Sequence, residues 1–133
     1  MPHLSFQYSA NVEQWVDLHQ FCRVLRDAAV ATNVFPLAGI RVRGVRCNHC
    51  EIADGSMEMG FIDISVRLRG GRELEVRKQA TQSIFEAAES FLAPVLDRRP
   101  LALSLEMRDI DPNLSPKVSS IRRFLGEAGN HDP

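Results

Sequence analysis

Residues 61–71, Phe-Ile-Asp-Ile-Ser-Val-Arg-Leu-Arg-Gly-Gly, decide how the chain folds. Ile62, Ile64, Val66 and Leu68 alternate with Phe61, Asp63, Ser65 and Arg67, the two-residue period of a strand with one buried face. Gly70 and Gly71 then break the strand, since paired glycines admit backbone conformations closed to other residues. From about Glu73 the period changes. Ala80, Ile84, Ala87, Ala88, Phe91 and Val95 recur at helical spacing, and the helix is expected to end or kink near Pro94. Leu101, Leu103, Leu105 and Met107 resume the alternation, closing a β-α-β unit whose first strand begins near Met57.

The residues before it state the same unit. Leu4, Phe6 and Tyr8 alternate as a strand. Val12, Trp15, Val16, Phe21, Cys22, Leu25, Ala28 and Ala29 predict one amphipathic helix over about Asn11–Ala31, with a turn at Asn33–Gly39. Ile40 and Val42 then alternate with Arg41 and Arg43, so one face of this strand presents guanidinium groups. Two successive β-α-β units predict an α+β fold, a four-stranded sheet with both helices on one face. The halves span about 1–56 and 57–110 of a single domain over 1–125, with Ser115–Leu125 as a short helix or arm and 126–133 as a flexible tail. Met57, Met59 and Phe61 fall opposite Ile62 and Ile64, which predicts an apolar second face in need of a partner and hence a homo-oligomer.

At 133 residues and 44% hydrophobic composition the chain can bury a core but not two. A net charge of -1 gives no electrostatic footprint for nucleic acid or an acidic membrane. No apolar run reaches the roughly 18 residues of a membrane helix, and no secretory leader precedes the first strand, so a cytoplasmic protein is expected. Cys22, Cys47 and Cys50 are too few for a disulfide framework. Cys47-Asn48-His49-Cys50 has the spacing of half a zinc site. A structural zinc needs four ligands and no second pair exists, so no metal is expected.

Pro2 stands directly after Met1 and before the first strand. Once the methionine is removed, its nitrogen is a secondary amine held by a sheet. A free α-amino group has a reference pKa of about 7.7 to 8.0, and burial or nearby cations push it towards the range where a general base works. Met-Pro is equally an ordinary way for a chain to begin.

Pro2, the run Phe35-Pro36-Leu37-Ala38-Gly39-Ile40-Arg41, Ala53-Asp54-Gly55, Gly71-Arg72 and Leu101-Ala102-Leu103-Ser104 together resemble the 5-carboxymethyl-2-hydroxymuconate isomerase family of the tautomerase superfamily. The resemblance covers about Met1–Leu125. It implies a homotrimer, no cofactor, Pro2 as catalytic base, and Arg41 and Arg72 as substrate-binding residues. The implied substrate is a dienol polycarboxylate from homoprotocatechuate breakdown, ketonised by moving the 2-hydroxyl proton to carbon. Arginine's planar fork suits such carboxylates better than lysine's point charge. A related 2-hydroxydienoate or oxo acid is the alternative substrate, and a non-enzymatic trimer of the same fold the alternative role. Cys47 and Cys50 depart from the family pattern.

Overall fold

The computed structural model describes residues 2–126, so most of the tail expected at 126–133 lies outside the described residues. Four strands, β1 (His3–Ser9), β2 (Arg41–Cys47), β3 (Gly60–Arg69) and β4 (Leu101–Ile110), form a mixed sheet in the order β2-β1-β3-β4. β1 and β2 run parallel, as do β3 and β4, and β1 and β3 meet antiparallel. Helices α1 (Leu18–Ala31) and α2 (Leu74–Arg98) are the two crossovers. The expected α+β architecture of paired β-α-β units is the one found.

The core sits between the helices and one sheet face. Leu4 and Phe6 of β1 and Ile62, Ile64, Val66 and Leu68 of β3 are buried, facing Phe21, Leu25 and Ala29 of α1 and Ala80, Ile84, Ala88 and Leu92 of α2. The helical set falls at four-residue steps, which keeps one stripe against the sheet. Phe21 meets Phe6 edge-on at 5.0 Å and stacks on Phe91 at 5.8 Å. Each fully buried aliphatic or aromatic side chain stabilises the fold by roughly 1.5–3 kcal/mol.

Three expectations need correction. The helix expected from Asn11 begins only at Leu18, after a separate 3-10 turn over Ala10–Gln14. The Val12 carbonyl accepts from both Trp15 and Val16, and Asp17 then caps α1 by accepting from the Gln20 N–H at 3.0 Å. Trp15 and Val16 therefore keep helical spacing without being in the helix. Of the end or kink expected near Pro94, the end is ruled out, since α2 runs on to Arg98. The missing proline N–H removes one hydrogen bond, and the next turn re-forms, with the Arg99 N–H on the Val95 carbonyl at 2.8 Å.

The third correction concerns the bare face of the sheet, which is polar. Met57 and Met59 precede β3, which starts at Gly60, so of the three expected apolar residues Phe61 alone lies in the sheet, beside Ala102. The register sets His3, Ser5 and Gln7 beside Arg41, Arg43 and Val45 on one side, and beside Arg67, Ser65 and Asp63 on the other. Ser104 donates to Asp63 at 2.7 Å across the next pair of strands. Exposed apolar side chains concentrate instead after β4, at Leu114, Val118 and Phe124, with Val118 99% exposed. There the chain turns through Asp111–Leu114 and makes a 3-10 turn over Ile121–Phe124, an arm rather than a regular α-helix.

Candidate active site

Pro2 is fully buried at the head of β1, and its carbonyl accepts from the Arg41 N–H at 3.3 Å. This bond joins the residue just before β1 to the first residue of β2. The stretch before Arg41 folds to deliver it there. Pro36 enters a single 3-10 turn over Leu37–Gly39 with φ already at -67°, and the Gly39 and Ile40 N–H groups close back on the carbonyls of Pro36 and Leu37. Among the described residues the Arg41 guanidinium donates one hydrogen bond, to the Gly39 carbonyl at 3.0 Å. Arginine carries five N–H groups, so within that set its other donors stay available to a ligand.

Arg72 reaches the same end of the sheet from the other side. β3 ends at Arg69, and Gly71 follows with φ at +115°, a conformation that L side chains rarely adopt. The reversal lets Arg72 donate to the carbonyls of Arg69 and Val34, both at 3.0 Å. Arg69 closes β3 and Val34 lies in the approach to β2, the two strands that flank β1. The guanidinium therefore ties together the chain on both sides of the strand that Pro2 heads. It also lies 6.0 Å from the centre of the Phe35 ring, at the outer limit of a cation–π contact.

Pro2, Arg41 and Arg72 are thus gathered at one end of the sheet, where two cations and burial both disfavour a second positive charge on an amine. Arg43 shares a sheet face with Arg41 but not its surroundings. Its guanidinium donates to Nδ1 of His3 at 3.2 Å, which leaves that imidazole the acceptor. Burial, then Arg43, Arg67 and Arg41, push the His3 pKa below its ordinary value. His3, Arg41, Arg67 and Arg108 occupy one register row across all four strands. His3 carries no signal of this in the sequence, because the row exists only once the strands are paired.

A cavity of about 250 Å³ opens beside Arg41, walled by Pro36 and Gly39 on one side and by Lys117, Ser119 and Arg122 of the arm on the other. The arm's cations had no signal in the sequence, since they reach Arg41 only through tertiary packing. Cys47 and Cys50 lie away from this end, sharing with Asn11 the wall of another cavity at the far end of β1 and β2. No group of three or more His, Cys, Asp or Glu side chains that could hold a metal occurs among the described residues.

The family model described as 5-carboxymethyl-2-hydroxymuconate isomerase matches residues 2–125. The Escherichia coli 5-carboxymethyl-2-hydroxymuconate Delta-isomerase is 32% identical over 125 residues, covering 94% of this chain and 99% of the relative. A crystal structure of a 5-carboxymethyl-2-hydroxymuconate delta-isomerase superposes with TM-score 0.88 at 30% identity, covering 96% of this chain and 95% of that one. The isomerase from Deinococcus radiodurans R1 gives TM-score 0.85 at 26% identity, with 94% and 95% covered. The fold alone extends to a fused 4-OT solved as a symmetric trimer, at TM-score 0.54 and 17% identity over 89% of this chain and 92% of that one.

Proposed function

The chain belongs to the 5-carboxymethyl-2-hydroxymuconate isomerase family, and from that premise we propose how it works as an isomerase of that dienol, with Pro2 as the proton carrier. With Met1 removed, the Pro2 nitrogen is a secondary amine. Neutral, it accepts the proton of the substrate's 2-hydroxyl. As an ammonium it returns that proton to carbon at the far end of the diene, leaving a conjugated ketone. One group thus performs both halves of general acid–base catalysis. Arg41 and Arg72 bind the carboxylates and the enolate oxygen that develops between the two steps.

The observation that carries this reading is the meeting of Pro2 and Arg41 through the 3.3 Å bond at the strand heads, with Arg72 tied to the segments flanking them. Burial of Pro2 favours its neutral form, the form a base needs. No cofactor enters the scheme, because the amine performs both proton transfers the conversion requires. A place in homoprotocatechuate breakdown follows from the substrate, and a cytoplasmic location agrees with three free cysteines.

A homotrimer is part of the proposal. Its support is the exposed apolar arm and the symmetric trimer of the fused 4-OT relative. The bare sheet face does not argue for it through apolarity. The deciding experiment is an ultraviolet assay of dienol-to-enone conversion by purified, methionine-processed protein against several 2-hydroxydienoates. Acceleration with 5-carboxymethyl-2-hydroxymuconate is expected. Solvent-level rates with every dienol would overturn the reading.

A further inference from the structure

The wall of the cavity beside Arg41 has a composition that the two-arginine scheme leaves unused. Lys117, Ser119 and Arg122 line it together with Arg41, and no acidic side chain does so among the described residues. The Lys117 ammonium and the Arg41 guanidinium, with the Ser119 hydroxyl beside them, make an anion-binding surface. Lys117 has no hydrogen bond or ion pair within the described residues, so its ammonium is not committed to the fold. The arm that carries it is pinned after β4, where the Leu114 N–H and the Ser115 hydroxyl both donate to the Asp111 carbonyl, at 3.1 and 2.6 Å.

The substrate named by the family carries three carboxylates, two on the muconate chain and one on the carboxymethyl branch. The muconate carboxylates lie in line with the diene and, in the proposed scheme, fall to Arg41 and Arg72. A branch needs an anion site to the side of that line, and a volume of about 250 Å³ is room for an acetate-sized group with water. We propose that Lys117, assisted by Ser119, binds the carboxymethyl carboxylate and so makes the arm the element that selects a branched tricarboxylate over a plain 2-hydroxymuconate. The inference rests on the Pro2–Arg41 end being the active site.

Steady-state kinetics of the full chain with 5-carboxymethyl-2-hydroxymuconate and 2-hydroxymuconate test it. Lys117 is exposed and its truncation removes no core packing. For Lys117→Ala, KM for the branched substrate should rise about tenfold or more, the scale of one charge-assisted contact, with kcat little changed. KM for 2-hydroxymuconate should stay as in the wild type, and Lys117→Arg should restore the discrimination. An equal change with both substrates, or no change with either, would overturn the proposal while the active-site reading stands. A wild type that converts neither dienol would remove that reading and the proposal with it. If the wild type converts only the branched dienol, the KM rise in Lys117→Ala and its recovery in Lys117→Arg decide the matter.

Discussion

Arg43 reaches diagonally across the β1–β2 pair to His3, with Nη1 of the guanidinium 3.2 Å from Nδ1 of the imidazole. A permanent cation donating to a histidine nitrogen requires that nitrogen to be unprotonated, so the pair is compatible only with neutral His3. Its pKa is lowered by burial first and by Arg43, Arg67 and Arg41 after it. Arg108 completes the same row two strands away.

That arrangement fixes a pH dependence of stability. The unfolded chain binds the His3 proton near the reference value of about 6.5, while the folded chain binds it only at lower pH. Stability therefore falls as pH drops below about 6.5 and stops falling below the folded pKa. His3→Gln should flatten this part of the profile, read as denaturant midpoints between neutral and mildly acid pH. A histidine contribution that grew on acidification would show the sign to be wrong.

Arg41→Ala should cost far more catalytic efficiency than Arg43→Ala. Both side chains leave the same sheet face, but Arg41 borders the cavity at the strand heads while Arg43 is engaged with His3. One lost charge-assisted contact, roughly 1.5–3 kcal/mol, is about ten- to a hundredfold in kcat/KM. Equal, small losses would sink the assignment of Arg41.

Processing of Met1 should be obligatory for turnover. With methionine attached, the Pro2 nitrogen is a tertiary amide without a basic lone pair, whatever the fold does. Intact mass spectrometry on fractions separated by processing state, each assayed for ketonisation, measures this directly. Full activity in a fraction that retains Met1 would exclude Pro2 as the base.

Phe21→Ala should destabilise the fold by about 3–5 kcal/mol, the usual cost of a cavity left by a buried aromatic ring. Phe21 is fully buried between Phe6 and Phe91 and links α1 to both the sheet and α2. Chemical denaturation at fixed protein concentration gives the value. A loss under 1 kcal/mol would mean that the neighbouring rings close over the gap.

The proposed trimer is checked by multi-angle light scattering, where a mass near three times 14.9 kDa is expected. A monodisperse monomer at micromolar concentration would leave Leu114, Val118 and Phe124 without the partner the proposal gives them.

Strand parity made the sheet legible before any coordinates, because Ile62 to Leu68 and Leu4 to Tyr8 bury every second residue, as their alternation requires. Helix boundaries were less legible. Trp15 and Val16 continue the helical rhythm although a 3-10 turn places them, and the cue that marks the true start is Asp17 followed three residues later by Gln20. Apolarity alone misplaced Met57 and Met59, since a loop can carry methionines as readily as a strand face can. Arg41 and Arg72 were singled out only by resemblance to a family. Local spacing could not have joined them, because Arg72 meets Val34 only after the chain has crossed the sheet. Lys117 was invisible for the same reason.

The two β-α-β units repeat one architecture, yet they are not equivalent chemically. A strand that begins in mid-chain, as β3 does at Gly60, is preceded by a peptide bond and can present only an amide nitrogen there. In the proposed scheme, repeating the unit within one polypeptide therefore doubles the scaffold without doubling the catalytic amine. The stoichiometry follows from that proposal: one catalytic amine per chain, counted as a single equivalent of a substrate-shaped inactivator directed at Pro2, with the second half left to supply walls and contacts.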